Sequence, residues 1–157
     1  MSPTPTLGAE LLRLEAALTR LRRLWESPAL RREFQQRVGA TIEPALVRTL
    51  RAVANADHGC GVGDVATALG VDGSTASRLV DNAVASGLLA RGSSPHDRRR
   101  SVLTLTDAGA DLAQRSTRVR QELLTELTAD LSDTDLDRLA DLLERLGARL
   151  DELEQRS

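Results

Sequence analysis

The feature that most constrains this chain is the punctuation between residues 72 and 109. Asp72 stands where a helix N-cap belongs and Gly87 where a helix stops, with Ala76, Leu79, Val80 and Ala83 at helical spacing between them. Residues 88–91 and 101–106 then read as two short strands, the second rich in β-branched side chains, around a polar loop over 92–100. Just upstream, residues 64–69 make a short helix that Gly70 ends. Two short helices joined by a tight turn and followed by a hairpin are a helix-turn-helix with a β-wing. The expected fold class is therefore mainly α, with one small β-hairpin.

The rest of the chain reads as helices. Leu7, Leu11, Leu14, Leu18, Leu21 and Trp25 form one apolar seam with alternating steps of four and three. Ser27 and Pro28 open a second helix that Gly39 ends, and Pro44 opens a third reaching about Asn55, with Leu46, Val47, Leu50 and Val53 or Ala54 on one face. The glycines around Asp57, His58 and Cys60 mark a loop. Thr106 caps a long helix to about Asp130. Ser132 and Asp135 open a last one, with Leu131 and Leu136 as its staple. Leu136, Leu139, Leu143, Leu146, Leu150 and Leu153 form its seam. Both seams are longer and more regular than a small winged domain needs, so a homodimer built from the two ends is expected. The competing arrangement is a bundle within one chain. The 157 residues then form a single domain: residues 44–106 are the winged part, and 7–38 with 107–155 the helical dimerisation part.

Charge narrows the partner. The net charge is −2, but residues 1–71 and 72–106 each carry +2, and 107–157 carry −6. The winged segment is locally positive, so an acidic total does not exclude nucleic acid. All 21 basic residues are Arg, the side chain suited to phosphate and guanine. One cysteine cannot form an intramolecular disulfide, and neither a signal peptide nor a membrane-length apolar run is seen. A cytoplasmic protein with no membrane partner is expected.

On a helical wheel over 73–86, Ala76, Leu79, Val80 and Ala83 face the core. Ser74, Arg78, Asp81 and Ala85 face outward, flanked by Thr75, Ser77 and Asn82. Ser74, Thr75 and Ser77 can bond a phosphate or a base, and Arg78 can fork onto guanine O6 and N7 in the major groove. An ordinary amphipathic helix would show the same division. The wing tips the balance: Arg98, Arg99 and Arg100 follow one another where a hairpin can reach the minor groove, and Asp97 can orient one of them. Double-stranded DNA is the expected partner.

Here the sequence resembles the MarR family of regulators. The matching residues are Ser74-Thr75-Ala76-Ser77-Arg78-Leu79-Val80-Asp81, Gly87-Leu88-Leu89 and Arg91. The string from Asp97 to Gly109 follows, with the wing pattern Asp-x-Arg and then Leu105-Thr106-x-x-Gly109. Val65-Ala66 and Leu69-Gly70 fit the first helix of the motif. The resemblance implies a homodimer with intertwined terminal helices on a palindromic operator. It gives Arg99 the minor-groove role and Asp97 the orienting one. Residues 82–85 depart from the family's usual charged residues, and the first helix has no cysteine of the kind peroxide sensors carry.

Other signals are weaker. Gly61-x-Gly63-x-x-Ala66 needs a preceding buried strand to bind a dinucleotide, and the residues upstream read as helix and loop. His58, Cys60, Asp57 and His96 do not have paired zinc spacing, and Asp57 and Asp64 near Cys60 argue against a reactive thiol. No Gly-x-Ser-x-Gly elbow is present, so the chain is not expected to be an enzyme or to need a cofactor. Trp25 and Phe34 are core fillers that could also wall an effector pocket. The expected function is sequence-specific repression relieved by a small molecule. The competing class is a winged module that binds a protein through the same face.

Overall fold

The computed structural model describes residues 7–56, 59–93, 101–154 and 156. Its elements run α1 (Leu7–Trp25), α2 (Pro28–Val38), α3 (Pro44–Ala54), α4 (Val62–Leu69), α5 (Gly73–Ala85), β1 (Leu89–Ser93), β2 (Ser101–Leu105), α6 (Asp107–Leu127) and α7 (Asp133–Glu154). Helical boundaries follow local chemistry. The Ser27 hydroxyl accepts from Leu30 N at 3.1 Å ahead of Pro28, and Pro44 holds the first position of α3. Gly61 N donates to the Asp64 carboxylate at 2.7 Å, starting α4 two residues earlier than the sequence suggests. Ser132 accepts from Asp135 N at 3.2 Å and opens α7.

Residues 1–119 and 120–157 form two compact units. In the first, α3, α4 and α5 pack on one another, α3 also meets β2, and α5 meets β1. Their shared core is Val47, Leu50, Val53, Val65, Ala76, Val80, Ala83, Leu89 and Leu103, all buried. Valine and alanine side chains let three short helices approach closely, so this core is built without an aromatic side chain. Thr49 is buried among them and returns its hydroxyl to the Ala45 carbonyl at 2.9 Å. Gly70, at φ +64°, ends α4 in the left-handed region, and Val71 and Asp72 complete the turn into α5.

β1 and β2 pair antiparallel, Leu89 opposite Leu105 and Ser93 opposite Ser101. A bridge joins Leu103 to Cys60, with Leu103 N donating to the Cys60 carbonyl at 2.7 Å. That places β2 between β1 and the loop before α4, and roots the hairpin in the helical core. The expected glycine-rich loop thus contributes a strand-like contact.

The second unit holds the end of α6 and all of α7. Leu136, Leu139, Leu142, Leu143, Leu146, Leu150 and Leu153 of α7 are exposed. In the first unit, Leu11, Leu14, Leu18, Leu21 and Trp25 of α1 are exposed likewise. The side chain of Leu7 lies outside the described residues.

Candidate nucleic-acid interface

The two faces of α5 divide as the sequence predicts. Ala76, Val80 and Ala83 are fully buried, while Ser74, Arg78, Asp81, Asn82 and Ala85 are exposed. Leu79, Thr75 and Ser77 lie half-buried between them. A helix whose back is locked into a core presents its front rigidly, as base readout requires.

The start of α5 is held by Asp72. Its carboxylate accepts from Thr75 N at 2.9 Å, from Thr75 Oγ1 at 2.7 Å and from Ser74 Oγ at 2.5 Å. The Ser74 and Thr75 hydroxyls and the Thr75 amide hold the Asp72 carboxyl well below the usual carboxylate range, so it stays ionised. The sequence identifies Asp72 as a cap but misses its grip on both hydroxyls. An Asp followed two and three residues later by Ser and Thr is the signal that would have shown it.

Farther along, the two charged residues of this face differ. Arg78 is exposed and has no hydrogen bond or ion pair among the described residues. Asp81 accepts from Arg91 on β1 at 2.5 Å, an exposed ion pair joining recognition helix to wing strand. Arg91 lies ten residues away on another element, and no local pattern foretells that partner.

The wing is fixed at its root. Thr106 N donates to the Leu88 carbonyl at 3.1 Å and Thr106 Oγ1 to the Gly87 carbonyl at 2.7 Å. The same hydroxyl accepts from Gly109 N at 3.1 Å, capping α6. A Cβ on Gly109 would stand 2.0 Å from the Leu88 carbonyl oxygen. The Leu105-Thr106-x-x-Gly109 pattern therefore describes one joint that ties the end of α5, the wing and the start of α6 together. Asp97, Arg98, Arg99 and Arg100, assigned to the wing from the sequence, lie outside the described residues, as do Asp57, His58 and His96.

Cys60 is 2 % exposed, and burial, reinforced by the Asp64 charge, pushes its thiol up from 9.0. Among the described residues no three His, Cys, Asp or Glu side chains gather as a metal site needs. Trp25 is 50 % exposed and Phe34 half-buried. A shallow cleft of about 390 Å³ at the end of α2 is lined by Arg32, Gln35, Gln36, Gly39, Ala40 and Thr41, and neither aromatic lines it. No described helix is long and apolar enough to cross a membrane.

Comparison with known proteins agrees with this geometry. Residues 41–100, which span the helix-turn-helix and the first wing strand, match the MarR family. A Thauera aromatica protein named as a transcriptional regulator for the hcr operon is 32% identical over 117 residues, 73% of this chain and 70% of that one. Transcriptional repressor MprA of Escherichia coli (strain K12) is 31% identical over 120 residues, 76% of this chain and 66% of its own length. The crystal structure of CouR from Rhodococcus jostii RHA1, bound to p-coumaroyl-CoA, superposes with a TM-score of 0.67 at 20% identity, covering 92% of this chain and 95% of that one. The relatives matched by sequence are regulators of transcription and not enzymes. A buried-backed helix with an arginine unpaired among the described residues, a wing strand locked to its end and likeness to these regulators over most of their length lead to one assignment: the chain belongs to the MarR family of transcriptional regulators.

Proposed function

We propose that this protein is a sequence-specific repressor that binds a palindromic operator as a homodimer and leaves it when a small molecule binds. The observation that carries this reading is the front of α5, where Arg78 stands exposed and without a partner among the described residues on a helix whose back is buried. Ser74, Thr75, Ser77 and Arg78 would meet the major groove. Asp97, Arg98, Arg99 and Arg100 would carry the wing into the adjacent minor groove, with Arg99 inserted and Asp97 orienting it. The helical parts, 7–38 and 107–155, would form the dimer. Repression is supported by the name of the Escherichia coli relative. Release by a small molecule is supported by the ligand of CouR, and Trp25 and Phe34, which do not line the cleft at the end of α2, would wall an effector pocket elsewhere.

The test is selection of bound DNA from a random pool, followed by titration of the selected site against salt. An inverted repeat with half-sites about one helical turn apart is expected, with log affinity falling linearly in log salt. Salt-insensitive binding, or an unselected pool, would instead favour a protein partner for this face.

A further inference from the structure

The hydroxyls of Ser74 and Thr75 can each give one hydrogen, and in this structure both hydrogens are given to Asp72. Asp72 also caps α5 through Thr75 N. An ionised carboxylate accepts only, so neither bond can reverse direction. What remains on each hydroxyl oxygen is lone pairs. A phosphate oxygen also has only lone pairs, so these two groups cannot satisfy one another. The Asp72 charge itself repels a phosphate at the helix start, where the dipole alone would attract one. On the major-groove edge the available donors are the exocyclic amines, N4 of cytosine and N6 of adenine. Arg78, exposed on the same helix, offers the complementary donor fork.

We propose that Asp72 is a specificity-determining residue of the DNA interface: it makes Ser74 and Thr75 pure acceptors, which select an exocyclic amine of cytosine or adenine rather than a phosphate. This rests on the DNA-binding reading above and sharpens it. The sequence alone allows both hydroxyls to donate to phosphate, and the hydrogen-bond directions remove that option. Asp72 does not touch the base in this scheme; it sets the polarity of the two groups that do.

The experiment is a cycle between protein and DNA. In the selected operator, cytosines are replaced singly by 2-pyrimidinone and adenines by purine, deleting the amine. The parent protein should lose about tenfold in affinity at one position per half-site. The double variant Ser74→Ala, Thr75→Val should lose a similar factor on the intact operator and nothing further on the amine-deleted one. Asp72→Asn keeps an acceptor for Thr75 N but brings a donor. It should lose the amine preference while retaining its melting temperature and the Arg78-dependent preference. A loss on all sequences alike, together with a lowered melting temperature, would reduce Asp72 to a structural cap. If the hydroxyl variants lose equally on intact and amine-deleted sites, and methylphosphonate substitution abolishes their effect, the hydroxyls serve phosphates and the proposal is overturned. A protein that selects no DNA would fail earlier, at the DNA-binding reading, and would take this proposal with it.

Discussion

Arg78 and Asp81 sit on the same exposed side of α5, yet only Asp81 has an ion-pair partner among the described residues. Asp81 spends its charge on Arg91, which keeps a carboxylate from facing the groove bare. Arg78 has no such partner among the described residues. Arg78→Ala should cost roughly 1–3 kcal/mol on the selected operator and relax the preference at one position per half-site. A gel-shift series over single-base variants reads this directly, and an equal loss on every sequence would make Arg78 a phosphate contact only. Cys60 is the opposite kind of residue, buried and joined to β2 through its carbonyl rather than poised for chemistry. Its raised pKa keeps the thiol neutral near pH 7. Stability that depends on this is lost only as pH rises past the ordinary thiol value of 9.0, because there the unfolded chain ionises first. Cys60→Ser should therefore leave DNA affinity unchanged with or without peroxide. An oxidant response in the parent that vanishes in this variant would revive redox sensing.

Among the elements, the joint at Thr106 and Gly109 decides whether the wing and the recognition helix move as one body. In an exposed helix Gly→Ala gains about 1 kcal/mol. At Gly109 the added methyl would meet the Leu88 backbone at 2.0 and 2.9 Å, and no side-chain rotation relieves that. Displacing backbone in a packed joint outweighs the propensity gain, so Gly109→Ala should destabilise by about 2 kcal/mol net. Thermal unfolding would show this as a clear fall in midpoint, and a rise would mean that α6 is not clamped to Leu88. This joint also shows how much the sequence disclosed. The Leu-Thr-x-x-Gly spacing was legible, because a cap and a helix start are local. The reason for glycine was not, because Leu88 comes from another element. Element order and the buried side of α5 were equally legible, since Asp72, Gly70, Gly87 and the 3.6-residue period act within a turn or two. The Asp81–Arg91 pair and the Cys60–Leu103 bridge were not, because they join segments that meet only once the fold has formed.

For the molecule as a whole, the terminal seams are the argument for a dimer. The leucine spacing in α1 and α7 foretold an apolar edge, and in the single chain that edge stays open: Leu143 is 48 % and Leu146 37 % exposed. An exposed leucine here and there is ordinary, but a whole seam along each terminal helix calls for a cover. Each leucine fully buried contributes ~1.5–3 kcal/mol, so the two seams hold enough apolar side chains for a stable interface between copies. A two-fold dimer is matched by a palindrome with half-sites about one DNA turn apart, which links the dimer to the operator expected of it. Replacing Leu143 and Leu146 with Glu tests this cleanly. Both positions are open in the isolated chain, so the charges are not buried by folding itself, and a folded monomer is expected. In a dimer the same charges would be buried without partners, a cost of several kcal/mol per interface. Sedimentation should show the variant at the mass of one chain, and it should bind a half-site as the parent chain does but lose the full operator by a hundredfold or more, since that binding needs two tethered copies. A folded monomer that still binds the full operator with undiminished affinity would sink the idea and leave the seams to some other partner.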